Sequence, residues 1–146
     1  MIKYRIMEKE DIPQVARIEK ACFSMPWSEK SFSDSLDQGD TLFLVAEEEG
    51  KICGYVGMYI SFEVGSITNV AVASDCRRMG IGKGLITQLV ADSRQRGVES
   101  ITLEVRESNL PAIKLYESQG FVSEGIRKNF YQKPTENAMI MWKHKE

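Results

Sequence analysis

The sequence predicts a mixed α/β fold, a single domain over residues 1–146 with one mostly antiparallel sheet of about seven strands and helices on both faces. A chain of this length can bury a hydrophobic core of ordinary size. Three successive strand patterns in the middle of the chain favour hairpins, and the later alternation of strand and helix patterns favours βαβ units. We expect no domain boundary, because neither a repeat nor a Pro/Gly/Ser-rich linker interrupts the sequence.

The first part of the chain predicts one strand and two helices. Residues 2–7 alternate in polarity as a short strand does, and Asp11 is placed to cap a helix with Pro13 in its first turn. The stretch FSMPWS breaks that pattern, and Ser28 then caps a second helix that Gly39 closes. The apolar positions with helical spacing are Ile12, Val15, Ile18 and Cys22 in the first helix, and Phe32 and Leu36 in the second.

The rest of the chain predicts further strands and two more helices. Strand patterns cover residues 41–47, 51–61 and 65–73, with EEEG and FEVG as hairpin turns. After a glycine-rich stretch, apolar residues at helical spacing (Leu85, Ile86, Leu89 and Val90) mark a helix that Gly97 ends. The run ITLEVR is the next strand, a helix extends from its cap at Asn109 through Gln119 to a stop at Gly120, and strands at about 121–131 and 137–144 follow.

The composition argues against several classes of protein. With a net charge of -2, the chain has no general attraction to nucleic acid or to an anionic membrane surface. Its three cysteines are scattered without a CxxC pair, which favours a reduced, cytoplasmic protein over a disulfide framework or a zinc site. The only histidine is His144, so His-based triads and metal sites are not expected. The charged first residues predict no signal peptide, and no apolar run approaches the ~20 residues of a membrane span.

The stretch CRRMGIGKGL, residues 76–85, indicates an anion site between a strand and a helix. The first N–H groups of a helix have no partner within it and carry the positive end of its dipole. Glycines let a ligand approach the backbone, and Arg77, Arg78 and Lys83 add charged donors. This combination fits a phosphate and, better, a pyrophosphate.

Two other interpretations of this stretch stay open from the residues alone. It could be a surface turn with solvated arginines, or a nucleotide site of another class. A P-loop would need GxxxxGK[ST], which is absent, and a dinucleotide fingerprint would need a third glycine where Leu85 stands. Both of these nucleotide sites therefore fit poorly.

The run RRMGIG, between an apolar strand and an amphipathic helix, resembles the Q/R-x-x-G-x-G/A signature of the GNAT acyltransferases. The resemblance covers nearly the whole chain in the order of its elements, and includes the pattern N-x-x-A-x-x-L-Y-x-x-x-G-F at residues 109–121. It implies the GNAT fold and an acetyl-CoA-dependent N-acetyltransferase without a metal. In this family the glycine-rich turn binds the pyrophosphate of acetyl-CoA.

Several further segments resemble the bacterial members of this family that acetylate the N-terminal alanine of a small-subunit ribosomal protein. They are PWS at 26–28, NVAV at 69–72, LEVRESN at 103–109, LYESQGF at 115–121 and RKNFY at 127–131. The resemblance implies Glu104 as catalytic base and Tyr116 as catalytic acid. The cofactor-binding residues that we expect are Val70, Ala71, Val72, Arg77, Arg78, Met79, Gly80, Ile81, Gly82, Lys83 and Asn109, and the expected substrate-binding residues are Pro26, Trp27 and Tyr131.

The residues themselves allow a structural interpretation beside each functional one. Glu104 lies on the polar face of its strand and could be an ordinary solvated residue, but a carboxylate suits deprotonation of an α-amine, whose pKa is about 7.7–8.0. Tyr116 and Tyr131 could be aromatics at a core boundary and on an edge strand, and Trp27 could be an anchor between two helices. Backbone N–H groups of residues 70–72 could bind an oxyanion if their strand splays from its neighbour.

The resulting hypothesis is that acetyl is transferred from acetyl-CoA to the N-terminal amine of a ribosomal protein whose first residue is alanine. The amine attacks the thioester directly. We expect a cytoplasmic protein that is a monomer or weak dimer and contacts neither nucleic acid nor membrane. Two alternatives stay open: acetylation of a lysine or a small-molecule amine, and a non-catalytic sensor of acyl-CoA. A sensor would need neither Glu104 nor Tyr116.

Overall fold

The computed structural model describes residues 1–77 and 79–145. It confirms the predicted order of helices and strands, with a short 3-10 turn before the first helix and another after β4. The strands are β1 (Lys3–Ile6), β2 (Thr41–Glu48), β3 (Lys51–Ser61), β4 (Val64–Val72), β5 (Ser100–Arg106), β6 (Val122–Tyr131) and β7 (Glu136–His144). The helices are α1 (Ile12–Cys22), α2 (Glu29–Leu36), α3 (Ile81–Gln95) and α4 (Leu110–Ser118).

The strands form one mixed sheet in the order β1-β2-β3-β4-β5-β7-β6. Only β4 and β5 pair in parallel among the described strands, and the other neighbours are antiparallel. The parallel pair requires a crossover, which α3 supplies. The mostly antiparallel sheet of the sequence prediction is confirmed.

Helices cover both faces of the sheet, as predicted, and each face has its own buried cluster. Side chains alternate between the faces along each strand, so Leu44 belongs to one cluster and its neighbour Val45 to the other. The first cluster packs under α3 and α4 and includes Leu85, Leu89 and Tyr116. The second lies under α1 and α2 and has Tyr55 at its centre, with its ring 5.4 Å from that of Phe32.

Local capping chemistry sets several of the helix ends. The Ser28 side chain accepts a hydrogen bond from the N–H of Ser31 at 3.1 Å, and Asn109 accepts one from Ala112 at 3.3 Å, as their predicted capping roles require. Gly97 follows the end of α3 at φ +88°, a left-handed conformation that favours glycine. Among the described residues, no helix combines the length and the apolar character that crossing a bilayer requires.

Two predicted helix signals are wrong in detail. The Asp11 side chain makes no capping bond to α1; it accepts hydrogen bonds from the Arg5 guanidinium at 2.8 and 2.9 Å and from the N–H of Glu8 at 2.8 Å. The guanidinium of Arg5 on β1 therefore binds the Asp11 carboxylate in preference to the N–H groups of α1. The second helix ends at Leu36 rather than running on to Gly39.

Candidate active site

The sheet opens between β4 and β5. Their parallel pairing covers four residue pairs and ends at Ile67 and Leu103. Beyond that point β4 continues to pair with β3 as far as Val72, and β5 continues to pair with β7 as far as Arg106. Within the described residues, the end of β4 is therefore paired on one side only, and a V-shaped gap separates it from β5.

A β-bulge at Thr68 marks the start of this gap. Gly57 of β3 lies opposite Asn69 and Met58 lies opposite Ile67, so Thr68 is the extra residue on β4. The Thr68 hydroxyl donates to the carbonyl of Gly57 at 3.3 Å. A bulge bends its strand and increases the local twist, which accounts for the divergence of β4 from β5 at this point. The splay on which the sequence-based oxyanion hypothesis depended is therefore present, whereas the bulge that produces it was not predicted.

The backbone at the end of β4 directs free donors into the gap. The N–H of Ala73 donates to the carbonyl of Cys53 at 2.8 Å, which fixes the hydrogen-bonding alternation of the strand. Because N–H groups alternate between the two sides of a strand, those of Val70 and Val72 face the gap, whereas that of Ala71 faces β3. The gap therefore offers two backbone donors rather than the three residues named from the sequence.

The glycine-rich turn stands at the end of β4 and begins α3. Gly80 occupies the N-cap position at φ +74°, where no side chain caps the helix. The first backbone bond of the helix is from the N–H of Gly84 to the carbonyl of Gly80, at 3.0 Å. The N–H groups of Ile81, Gly82 and Lys83 consequently have no partner within the helix and are available to an anion.

The three glycines of this turn have different surroundings. A Cβ added at Gly80 would meet nothing within 4 Å, so its requirement is the left-handed conformation. A Cβ at Gly82 would lie 3.2 Å from the Leu115 side chain, so this glycine lets α3 approach α4 closely. A Cβ at Gly84 would overlap the phenol of Tyr4, which makes Gly84 a packing glycine between α3 and β1.

Positive charge at this turn is exposed. Lys83 is exposed, and Arg77 is also exposed and donates through Nε to the carbonyl of Val72 at 3.4 Å. The Ile81 side chain is buried in the core, so this residue can offer a ligand only its backbone, and Met79 is exposed. Arg78, named from the sequence, lies outside the described residues.

Glu104 stands on the opposite arm of the gap from Val70 and Val72. It follows Leu103, the last β5 residue paired with β4, and its side chain lies on the face opposite to that buried residue. The carboxylate Oε2 is 3.1 Å from Nη1 of Arg127. This oxygen is shielded from solvent and makes no hydrogen bond to the described residues, so the Arg127 contact is an ion pair of poor hydrogen-bond geometry.

Two tyrosines complete this region. Burial raises the pKa of Tyr131 to about 12, and the nearby Glu104 carboxylate contributes to the shift. Burial also raises the pKa of Tyr116, with a smaller contribution from Tyr131. Tyr131 thus interacts electrostatically with Glu104 and with Tyr116, and both phenols remain protonated at neutral pH. Asn109 caps α4, the helix that carries Tyr116.

Arg106 holds the connection between β6 and β7 against the site. Its guanidinium lies 4.5 Å from the centre of the Tyr131 ring. It donates to the carbonyls of Gln132 at 2.9 Å and Pro134 at 2.8 Å, and to the carboxylate of Glu136 at 3.3 Å. Because this one side chain binds both the tyrosine and the turn after it, Arg106 fixes the position of Tyr131. Arg106 was not among the site residues predicted from the sequence.

The loop between α1 and α2 is anchored by an aromatic side chain. Trp27 packs with its ring 5.3 Å from that of Phe32 and 6.3 Å from that of Phe43. Trp27 therefore anchors its loop against α2 and β2, while its contact with a substrate stays a prediction. Pro26, the preceding residue, is exposed.

The comparisons with known proteins give the class. Residues 12–121 match the acetyltransferase (GNAT) family. The chain belongs to this family, and it is an acetyltransferase; GNAT acetyltransferases use acetyl-CoA. The resemblance inferred from the glycine-rich signature is thus confirmed.

Particular relatives share most of their length with this chain. It is 37% identical over 140 residues to the [ribosomal protein bS18]-alanine N-acetyltransferase of Escherichia coli K12, covering 92% of each chain. The crystal structure of the E. coli ribosomal-protein-S18-alanine N-acetyltransferase superimposes with a TM-score of 0.91 at 34% identity, covering 99% of this chain and 94% of that one. The structure of Ard1 from Thermoplasma volcanium also has a TM-score of 0.91, at 27% identity over 99% and 98% of the two chains.

Proposed function

We propose that this acetyltransferase transfers the acetyl group of acetyl-CoA to the N-terminal α-amine of a protein. The substrate of this proposal is the alanine at the start of ribosomal protein bS18, which the name of the 37% identical E. coli relative specifies. The observation that carries the proposal is the gap between β4 and β5, with the backbone donors of Val70 and Val72 on one arm and Glu104 on the other.

The residues around the turn and the gap fit acetyl-CoA. The unpaired N–H groups of residues 81–83, with Arg77 and Lys83, suit its pyrophosphate. The one-sided end of β4 suits the amide-containing arm, which can pair with a free strand edge as another strand would. Arg78, Met79 and Asn109 remain candidate contacts. The bound thioester would supply the acetyl group and a thiolate leaving group.

Glu104 is the proposed base. The attacking amine must be neutral, and a protein α-amine has a pKa of about 7.7–8.0, so a carboxylate can remove its proton directly or through a water. A lysine side chain, at about 10.4, makes this task harder by roughly 2.5 pKa units. The N–H groups of Val70 and Val72 would donate to the carbonyl oxygen as it gains charge.

Tyr116 is the proposed acid. The new bond joins the amine nitrogen to the carbonyl carbon, and the bond from that carbon to sulfur breaks. Tyr116 then donates a proton to the departing thiolate, and its raised pKa keeps that proton in place at neutral pH. Tyr131, with Trp27 and Pro26, is proposed to line the slot for the peptide N-terminus.

The setting of the proposed enzyme follows from its substrate. A ribosomal protein is acetylated where ribosomes assemble, so we propose a cytoplasmic enzyme. Residues 1–146 would act as one catalytic domain, as a monomer or weak dimer. The peptide N-terminus would be its macromolecular ligand, without direct contact to nucleic acid.

The test uses purified full-length protein, acetyl-CoA and peptides that differ only in their first residue. N-blocked peptides that contain a lysine are the matched controls, and mass spectrometry locates the acetyl group. We expect acetylation of the free α-amine, fastest on the alanine-first peptide that carries the bS18 N-terminal sequence.

Other outcomes would overturn specific parts of the proposal. Acetyl groups found only on lysine would reject the N-terminal substrate and retain acetyl transfer. Binding of acetyl-CoA without transfer to any peptide would reject the peptide substrate and favour a small amine or a sensor.

A further inference from the structure

A buried carboxylate connects four parts of the structure on the α1 side of the sheet. Glu19 of α1 is 1% exposed. It accepts hydrogen bonds from the hydroxyl of Tyr55 on β3, from the N–H of Trp27 at 2.9 Å, and from Nδ2 of Asn69 at 3.2 and 3.3 Å. Among the described residues, no cationic side chain binds this carboxylate. Burial of a charge that only neutral donors contact costs more free energy than burial of an apolar side chain at the same position.

The Glu19 carboxylate also fixes the orientation of the Asn69 side chain. A carboxylate accepts hydrogen bonds and cannot donate them, so the amide nitrogen of Asn69 must face Glu19. The amide oxygen then points away, and Oδ1 of Asn69 is buried without a partner among the described residues. The orientation of the Asn69 amide is therefore set by Glu19, and no described residue holds the amide oxygen.

The two ends of the network lie at the two sides of the proposed reaction. Trp27 belongs to the loop that is proposed to border the peptide slot, and its backbone N–H is bound directly by Glu19. Asn69 is the first residue after the Thr68 bulge and immediately precedes Val70, whose N–H faces the gap. A displacement of Glu19 would therefore move the loop and the free end of β4 relative to each other.

We infer that Glu19 is a positioning residue that holds the Trp27 loop and the Asn69 end of β4 in register for acetyl transfer to a peptide. This role rests on the proposed function and adds a residue that touches neither substrate. It predicts that the two arms of the network affect different kinetic constants.

The Glu19→Gln variant removes the charge and places an amide among donors that need acceptors. The bonds from Trp27 and Asn69 then lose their charge assistance, and only one oxygen remains to accept both of them. We expect kcat/KM for the alanine-first peptide to fall about tenfold or more, with a higher peptide KM and a lower kcat. The Kd of acetyl-CoA should rise by a smaller factor than kcat/KM falls, because the network reaches the end of β4 but not the pyrophosphate turn at the start of α3.

The Asn69→Ala variant tests the β4 side of the network alone. It also replaces Glu19→Gln as the test if that variant does not fold. It removes the bond to β4 and leaves the Trp27 bond in place, so we expect kcat to fall at least fivefold while the peptide KM changes less than twofold. The stability control is Val15→Ala, which truncates a fully buried side chain one turn earlier on α1. This control should lower the melting temperature and leave both kinetic constants within twofold of the wild type.

The assay measures peptide kinetics, acetyl-CoA affinity by calorimetry and melting temperature, with kinetics taken well below every transition. The predicted difference between Asn69→Ala and Val15→Ala would support the positioning role. Equal kinetic effects in variants of equal stability loss would overturn it, and so would unchanged kinetics in folded Glu19→Gln or Asn69→Ala. Failure of the wild type to acetylate any peptide would instead reject the proposed function, and with it this role.

Discussion

Replacement of Glu104 by Gln tests the proposed base with little disturbance of the fold. The carboxylate pairs with Arg127 at 3.1 Å, and the two side chains are 30% and 56% exposed. An ion pair this exposed contributes at most about 1 kcal/mol. For a chain of this length, the melting temperature should therefore change by no more than about 4 °C. Loss of a general base, by contrast, lowers the rate by roughly 10²- to 10⁴-fold.

The assay compares kcat/KM for the alanine-first peptide across pH in the wild type, E104Q and E99Q. Glu99 is exposed just before the other end of β5, so E99Q makes the same change without entering the gap. We expect E104Q to lose activity and to retain only the pH dependence of the amine itself, near about 7.7–8.0. E99Q should match the wild type.

The same variant has a second, spectroscopic consequence. The Glu104 charge helps to raise the pKa of Tyr131 to about 12, so its removal should lower that pKa. Ultraviolet titration of tyrosinate in E104Q, with Y131F subtracted, measures the change. A folded E104Q with wild-type kcat/KM would refute the assignment of the base. An unchanged pKa of Tyr131 would refute the electrostatic interaction inferred between Glu104 and Tyr131.

Three further predictions concern the turn, the hairpin and the acid stability of the fold. Gly80→Ala and Gly97→Ala both force alanine into a left-handed conformation and should each lower the free energy of unfolding by about 1–2 kcal/mol. Only Gly80→Ala should weaken acetyl-CoA binding in calorimetry. Equal affinities of the two variants would count against the pyrophosphate site. Arg106→Lys loses the ring contact and the forked hydrogen bonds, so the peptide KM should rise at least threefold with acetyl-CoA affinity unchanged, and an unaltered KM would reject its positioning of the hairpin. The hydrogen bond from Arg5 lowers the pKa of Asp11 below its usual value, so this pair stabilises the fold above about pH 4 and loses that effect as the pH falls through the lowered pKa. Asp11→Asn should therefore reduce the melting temperature at neutral pH and bring it closer to the wild type near pH 2, whereas a constant difference across pH would contradict this account.

Local sequence signals predicted the elements well because their physical causes are local. Ser28 and Asn109 cap helices with their own side chains, and alternation of apolar residues marks the strands. Asp11 shows where such signals fail. Its carboxylate is an equally good cap by residue type, but Arg5 on a neighbouring strand binds it more strongly.

The features missed from the sequence depend on contacts between distant parts of the chain. The Thr68 bulge is defined by pairing with Gly57, and nothing in the residue types SITNV demands an extra residue there. The environment of Glu19 depends on Tyr55 and Asn69, which are 36 and 50 positions away. A glutamate at a helical position is ordinarily a solvated residue, so only the fold shows that this one is buried.

The one-sided end of β4 affects how the site tolerates mutation. Its proposed donors belong to the main chain, and every amino acid except proline carries the same N–H group. Substitutions such as Val70→Ile or Val72→Thr can therefore alter packing without deleting a donor, whereas Val70→Pro would delete one outright. A site whose hydrogen-bond donors belong to the backbone can therefore keep those donors while many of the side chains around them change.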